Sequence, residues 1–260
     1  MQYLMKEMGI AEILDQGVAI FRNHFKLLLG ITGYLLIPFY VLQNLVQYLS
    51  TPIQVPGQPS TENPGLLVLN VLLFILLTLV VSPLTNGAII HAAANEYLDR
   101  PTTAGKALRA SLKKWSKLVG TSIYAGLIIL LGFLLFFIPG IYFAFRYSFI
   151  SQVVMIEDTS GGAALKRSGV LMKENYSKAF VLGFLLGVIS MGVSLIAGIL
   201  PFPLLRVFLV SLIQVFVVIL YAAAYVAFYF STRCQHENFD LALLAQQVGE
   251  EVKSEPANLA

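Results

Sequence analysis

Few residues in this chain have the types and spacing that chemistry requires. The three histidines, His24, His91 and His236, are scattered without HExxH, CxxC or EF-hand spacing, and so offer no metal-ligand set. There is no G-x-x-x-x-G-K-[ST] phosphate loop and no G-x-S-x-G elbow, so nucleotide hydrolysis and serine-hydrolase chemistry lack their minimal parts. We therefore expect no catalytic residue, no enzyme activity and no cofactor. A lone Cys234 excludes an intramolecular disulfide. More pointed is Arg146, which stands alone in an apolar block, where an ionisable side chain is costly and marks a functional candidate. The plainer reading weighs more: Arg146 lies six residues, about 9 Å of helix, beyond Pro139 and Gly140, and can snorkel to the outer headgroups. Gly87, His91 and Asn95 recur every four residues as a polar stripe. His91 and Asn95 are thus candidates for ligand contact, with hydrogen bonding between helices as the simpler use.

These residues sit in a chain that is 57% hydrophobic and only 12% charged, with a mean hydropathy of +0.78, more apolar surface than a soluble domain can hide. The apolar residues form continuous blocks longer than the roughly 18 residues that mark a bilayer crossing, and they do not alternate as barrel strands do. The expected class is an all-α integral membrane protein with six transmembrane helices. Leu27 to Leu49 is the first span, with Pro38 as a kink, and the breaker-rich segment from Ser50 to Gly65 follows as a loop. The second span starts at Leu66, with helix continuing past Pro83 towards Leu98. Leu118 to Ile156 would measure about 58 Å as one helix, nearly twice a bilayer core of about 30 Å, so a hairpin turn is expected at Pro139 and Gly140. Pro201, Pro203 and Arg206 similarly divide Ala179 to Thr232 into a fifth and a sixth span. The polar tail is residues 235–260.

All basic residues except Arg146 and Arg206 fall on one side of this arrangement, which should be cytoplasmic and hold both termini. No cleavable signal peptide is expected in residues 1–26. Each pair of spans follows a segment with apolar residues at helical spacing, such as Ile10, Ile13, Leu14, Val18 and Phe21 in the first. We read three parallel repeats of amphipathic helix plus transmembrane hairpin, over residues 8–98, 102–157 and 159–234. Parallel copies argue against the inverted-repeat architecture of many transporters. Lys106, Arg109, Lys113, Lys114, Lys166, Arg167 and Lys173 lie opposite the apolar stripes of the second and third segments and are candidate contacts for anionic membrane lipid. Membrane lipid explains these bases better than nucleic acid, which we do not expect as a partner. The alternative is that the stripes pack on the inner ends of the spans as a lid. Gly183, Gly187, Ser190, Ser194 and Gly198 form a stripe of small residues in the fifth span, expected to let another helix pack closely near the bundle centre or in a homo-oligomer or with a membrane partner protein.

The run "FIPGIYFAFRYSFISQVVMIEDTSGGAALKRSGVLMKENY" resembles the glycerophosphodiester phosphodiesterase membrane-domain family and related six-span bacterial membrane proteins. Its carriers are Pro139, Gly140, Arg146, Glu157 and Ala164 to Ser168, with "EYLDRPTTAGKALRAS" from Glu96 to Ser111 similar to the family's second inner loop. The resemblance implies a bacterial cytoplasmic-membrane location and a domain without assigned activity, since the phosphodiesterase chemistry of that family belongs to a separate barrel of about 250 residues for which there is no room here. The function expected is that of a non-enzymatic, lipid-associated envelope or scaffold component, with a small-molecule or lipid transporter as the alternative and an intramembrane enzyme ranked after both.

Overall fold

The computed structural model describes residues 5–50, 63–199, 202–241 and 245. The loop expected between Ser50 and Gly65 and most of the polar tail lie outside the described residues. Every described element is a helix: α1 (Ile10–Asn23), α2 (Phe25–Ser50), α3 (Pro64–Leu76), α4 (Ser82–Tyr97), α5 (Ala104–Leu135), α6 (Phe137–Arg146), α7 (Ile150–Ile156), α8 (Gly161–Leu171), α9 (Tyr176–Gly198) and α10 (Pro203–Glu237). Local signals start several of them. Glu12 accepts the Gly9 N–H at 3.0 Å to open α1, Asn63 accepts from Gly65 N ahead of Pro64 at the start of α3, and Thr103 accepts from Lys106 N at the start of α5. The stops are as specific. Asp99, Asp158, Glu174 and Asn238 each adopt a left-handed backbone, with φ between 49° and 71°, just after α4, α7, α8 and α10. Asn and Asp tolerate that conformation better than most residues.

Among the described residues four helices are long and apolar enough to cross a membrane: α2, the rod Pro64–Tyr97, α5 and α10. A fifth crossing arises if α8 and α9, bent by 96°, are taken as one span. The rod Pro64–Tyr97 stays continuous through Pro83 because a π-helical turn, Leu77–Val81, joins α3 to α4. There Ser82 N–H reaches back five residues to Leu77 O, and the widened turn relieves the crowding and the lost donor that proline imposes.

The hairpin expected at Pro139 and Gly140 turns instead at Phe136, whose extended backbone (φ −159°, ψ 152°) ends α5 and caps α6. Pro139 occupies the first turn of α6, where its missing N–H has no helical acceptor to lose. Gly140 is where the two arms touch: a Cβ there would run into the Phe133 ring, and one at Gly132 would lie 3.0 Å from Gly140 Cα. The returning arm is also not one helix. It breaks between α6 and α7, and Ser168 Oγ bridges the break by donating to Arg146 O at 2.9 Å and accepting from Phe149 N at 3.2 Å. The second amphipathic segment is likewise not separate. It is the first part of α5, whose 32 residues run about 48 Å, roughly 18 Å more than the bilayer core.

The core lies towards the basic end of the bundle, where α4, α7 and α10 finish and α5 begins. Residues 222–232 of α10 are buried without interruption. The small side chains of Ala222, Ala223 and Ala224 allow α1 to cross so closely that a Cβ on Gly17 would stand 2.7 Å from Ala224 Cα. Tyr97 stacks on Phe230 at 4.9 Å, and Phe149 packs on Phe228 at 4.9 Å. Ile13 and Ile20 of α1 and Ala164, Leu165 and Leu171 of α8 are buried. The apolar stripe of α8 is therefore covered by protein, as in a lid, and that of α1 is covered in part, with Ile13 buried but Val18 49% exposed.

Candidate functional site

The basic end is held by a network of charges. Glu157, which caps α7, receives Arg167 through Nε at 2.7 Å and Nη2 at 2.8 Å, and accepts the Tyr229 hydroxyl at 2.5 Å. Arg167 also pairs with Glu237, which accepts from Arg233 at 2.9 Å, while the Arg233 guanidinium sits 4.1 Å over the Phe239 ring. Two carboxylates and two guanidiniums so placed balance in charge and clamp α7, α8 and the end of α10 together. A second pairing joins α5 to the turn after α7. Lys114 donates to Met155 O at 3.1 Å and lies 3.2 Å from Asp158, and Lys117 donates to Asp158 at 3.1 Å. Hydrogen bonds from Lys117 and Lys114 hold the Asp158 carboxyl below its ordinary range. Glu96, which the motif search does not single out, pairs with His24 at 3.2 Å and accepts from Thr102 N at 3.1 Å, tying the loop after α4 to the α1–α2 junction.

The seven basic candidates therefore divide. Arg167 and Lys114 are spent on carboxylates and a helix terminus. Lys106, Arg109, Lys113, Lys166 and Lys173 are exposed and form no ion pair among the described residues. Arg146 lies beside α8, where a Cβ on Gly169 would stand 2.8 Å from its Nε, while Nη1 donates to the Tyr142 hydroxyl, one turn nearer the hairpin tip, at 2.8 Å. The break after α6 lets α8 come up beside it, which the sequence spacing does not disclose. His91 and Asn95 do not bond across helices as expected. Asn95 Nδ2 donates to His91 O at 2.7 Å and lies 3.3 Å from His91 Nδ1, all within α4. Gly87 instead admits α5, with Leu118 Cδ1 2.8 Å from where its Cβ would be and Ser111 Oγ donating to Leu84 O at 2.7 Å.

A cavity of about 400 Å³ lies between α4, α7, α9 and α10. Its polar lining comes from Asn86, Ser148, Ser151, Gln152, Ser190 and Tyr221. Gly183, Gly187 and Ser190 of the α9 stripe form one wall, and at the two glycines no other helix of this chain packs closely. A Cβ on Gly187 would have nothing within 4 Å, and one on Gly183 would meet only Tyr225 Oη, at 3.9 Å. Missing side chains leave space here; they do not draw another backbone in. Ser194 and Gly198, the rest of the stripe, fall on the last turns of α9. Gln152 is 4% exposed, and its Oε1 has no hydrogen-bond partner. Among the described residues no group of three or more His, Cys, Asp or Glu could hold a metal ion.

No family model matches the chain, and no curated protein or solved structure is significantly similar to it. The resemblance to the glycerophosphodiester phosphodiesterase membrane domain thus rests on the residues quoted for it alone.

Proposed function

We propose that this is a non-enzymatic component of the bacterial cytoplasmic membrane that associates with anionic lipid through its basic end, as part of an envelope or scaffold assembly. The observation that carries the reading is the set of five exposed bases, Lys106, Arg109, Lys113, Lys166 and Lys173, left without acidic partners while their neighbours Arg167 and Lys114 are neutralised. Each base beside an anionic surface is worth about 1 kcal/mol, so five together outweigh screening at physiological salt. The association is electrostatic, by a rim of side chains, because the apolar face of α8 and part of that of α1 are occupied. The quoted likeness to a membrane domain without assigned activity agrees with it. Adding phosphatidylglycerol to detergent-purified protein should raise its unfolding temperature, with the gain fading as salt is raised. A gain equal to that from phosphatidylcholine would refute the reading.

Six crossings with both termini cytoplasmic is the topology that goes with this proposal, the three parallel repeats being its sequence basis. Support comes from Met8 N–H donating to Ser231 Oγ at 2.8 Å, which brings the start of α1 to the end of α10 and calls for an even number of passes. The broken pair α6 and α7 then supplies the return that length alone does not. Reporter fusions at Thr103 and Ser160 should read as cytoplasmic, and fusions at Asn63 and Phe136 as external; a cytoplasmic signal at Asn63 would overturn the topology. A second reading, movement of a small molecule or lipid, is favoured by the cavity among α4, α7, α9 and α10.

A further inference from the structure

We infer that the cavity between α4, α7, α9 and α10 is a binding site for the polar end of an uncharged lipid that carries a hydroxyl, of the diacylglycerol type. It is distinct in place and in chemistry from the basic end, and stands or falls separately from the anionic-lipid reading.

Three observations converge. First comes depth: Gly183 to Ser190 lie 7 to 14 residues into α9, about 10–20 Å from its basic end, and Tyr221 lies about 18 Å up α10 from Arg233, so the cavity falls within the hydrocarbon layer of the bundle. Second is the mouth. Gly187 and Tyr221 are exposed on the flank of the bundle, beside Phe184 and Val188, whereas Ile90, Gln152, Leu186 and Ala222 at the back are buried. The opening therefore faces the acyl chains, and a molecule entering by it needs an apolar body. Third is the lining. It contains amides and hydroxyls but no Asp, Glu, Lys, Arg or His, so a charged headgroup would lose its hydration without gaining a counter-ion.

The Gln152 side-chain amide lines the cavity and makes no hydrogen bond among the described residues, and this sets what the polar end must offer. An unsatisfied amide is destabilising, and a polar group bound in the cavity can supply its partner. A hydroxyl both donates and accepts, so it can satisfy either end of the amide and also bond Ser148, Ser151 or Ser190. A volume of about 400 Å³ takes a glycerol backbone with its ester groups, and the tails leave through the mouth into the bilayer. The glycines of α9 are then the residues that keep the chamber open, since any side chain at Gly183 would project towards Tyr225 and into it.

The test is photolabelling of the full chain in nanodiscs with a diazirine-bearing, alkyne-tagged diacylglycerol, read by peptide mapping. Labelling should concentrate on residues 183–190 and 217–222 and be competed by unlabelled diacylglycerol but not by phosphatidylcholine or phosphatidylglycerol. Gln152→Met, which keeps the shape and removes the hydrogen bonds, should lower it about fivefold. Gly183→Leu, which fills the chamber, should abolish it, with unfolding temperature and gel-filtration profile as controls for folding. Neither substitution touches the five exposed bases, so phosphatidylglycerol stabilisation should persist in both. Labels spread evenly over the lipid-facing helices, competition by the phospholipids as strong as by diacylglycerol, or labelling unchanged in Gln152→Met would each overturn the assignment.

Discussion

Within the single helix α10, the two ends present opposite surfaces made from similar residues. Leu204 is 68% and Phe208 50% exposed, whereas every residue from 222 to 232 is buried under α1, α4, α7 and α8. The contrast extends to the whole molecule. α3 has no buried residue, and Leu134, Phe136 and Ile138 at the hairpin tip are all more than 70% exposed, while the ion pairs and capped helix ends gather at the basic end. In a lipid solvent an exposed leucine carries no penalty, so hydrophobicity cannot say which apolar face meets protein. What distinguishes the packed end is small residues at crossings and polar groups that must be satisfied. Fold stability should therefore be set at the basic end and be nearly indifferent to the far one.

The sharpest way to break that comparison is Glu157→Gln, which leaves Arg167 and Tyr229 without their shared carboxylate. With the Glu157 side chain only 17% exposed and Arg167 25%, the loss should be about 3 kcal/mol in denaturant unfolding of the detergent-solubilised protein. Adding Arg167→Gln should cost less than the sum of the two single changes, since both remove the same pair. Next comes Gly17→Ala. Its Cβ would meet the Ala224 backbone, which cannot yield, so α1 must shift at a cost of about 2 kcal/mol. At the other end, Ile138→Ala should stay within about 0.5 kcal/mol in the same measurement, because that side chain is 79% exposed. A cost at Ile138 matching that at Gly17 would mean the hairpin tip is packed against something, and the contrast would fail.

Apolar block length in the sequence is enough to identify the long membrane helices and the all-helical class. What escapes is set by geometry that a residue pattern does not encode. Proline marks a hairpin in the sequence, yet the turn falls at Phe136, because Pro139 costs nothing in the first turn of a helix and Gly140 is needed for contact between the arms. Pro83 is absorbed by a π turn whose signature is only the ordinary apolar run Leu77–Val81. The α9 glycines satisfy a packing motif by spacing, but whether a neighbour fills the groove depends on α10 and on the break before α7. Glu237 meets Arg167 from 70 positions away and Tyr229 meets Glu157 from 72, distances at which no local signal survives. Arg146 is legible as an anomaly, while its neighbour Gly169 of α8 is not.

The five unpaired bases are the proposed lipid contacts, and native mass spectrometry of the detergent-purified protein measures their role most directly. Phosphatidylglycerol and cardiolipin should be retained in preference to phosphatidylcholine by the unaltered chain. The preference should vanish when Lys106, Arg109, Lys113, Lys166 and Lys173 are all replaced by glutamine, and it should remain when Arg167 or Lys114, already neutralised within the protein, is replaced alone. Equal retention of anionic lipid by the five-fold variant and the unaltered chain would contradict the proposal.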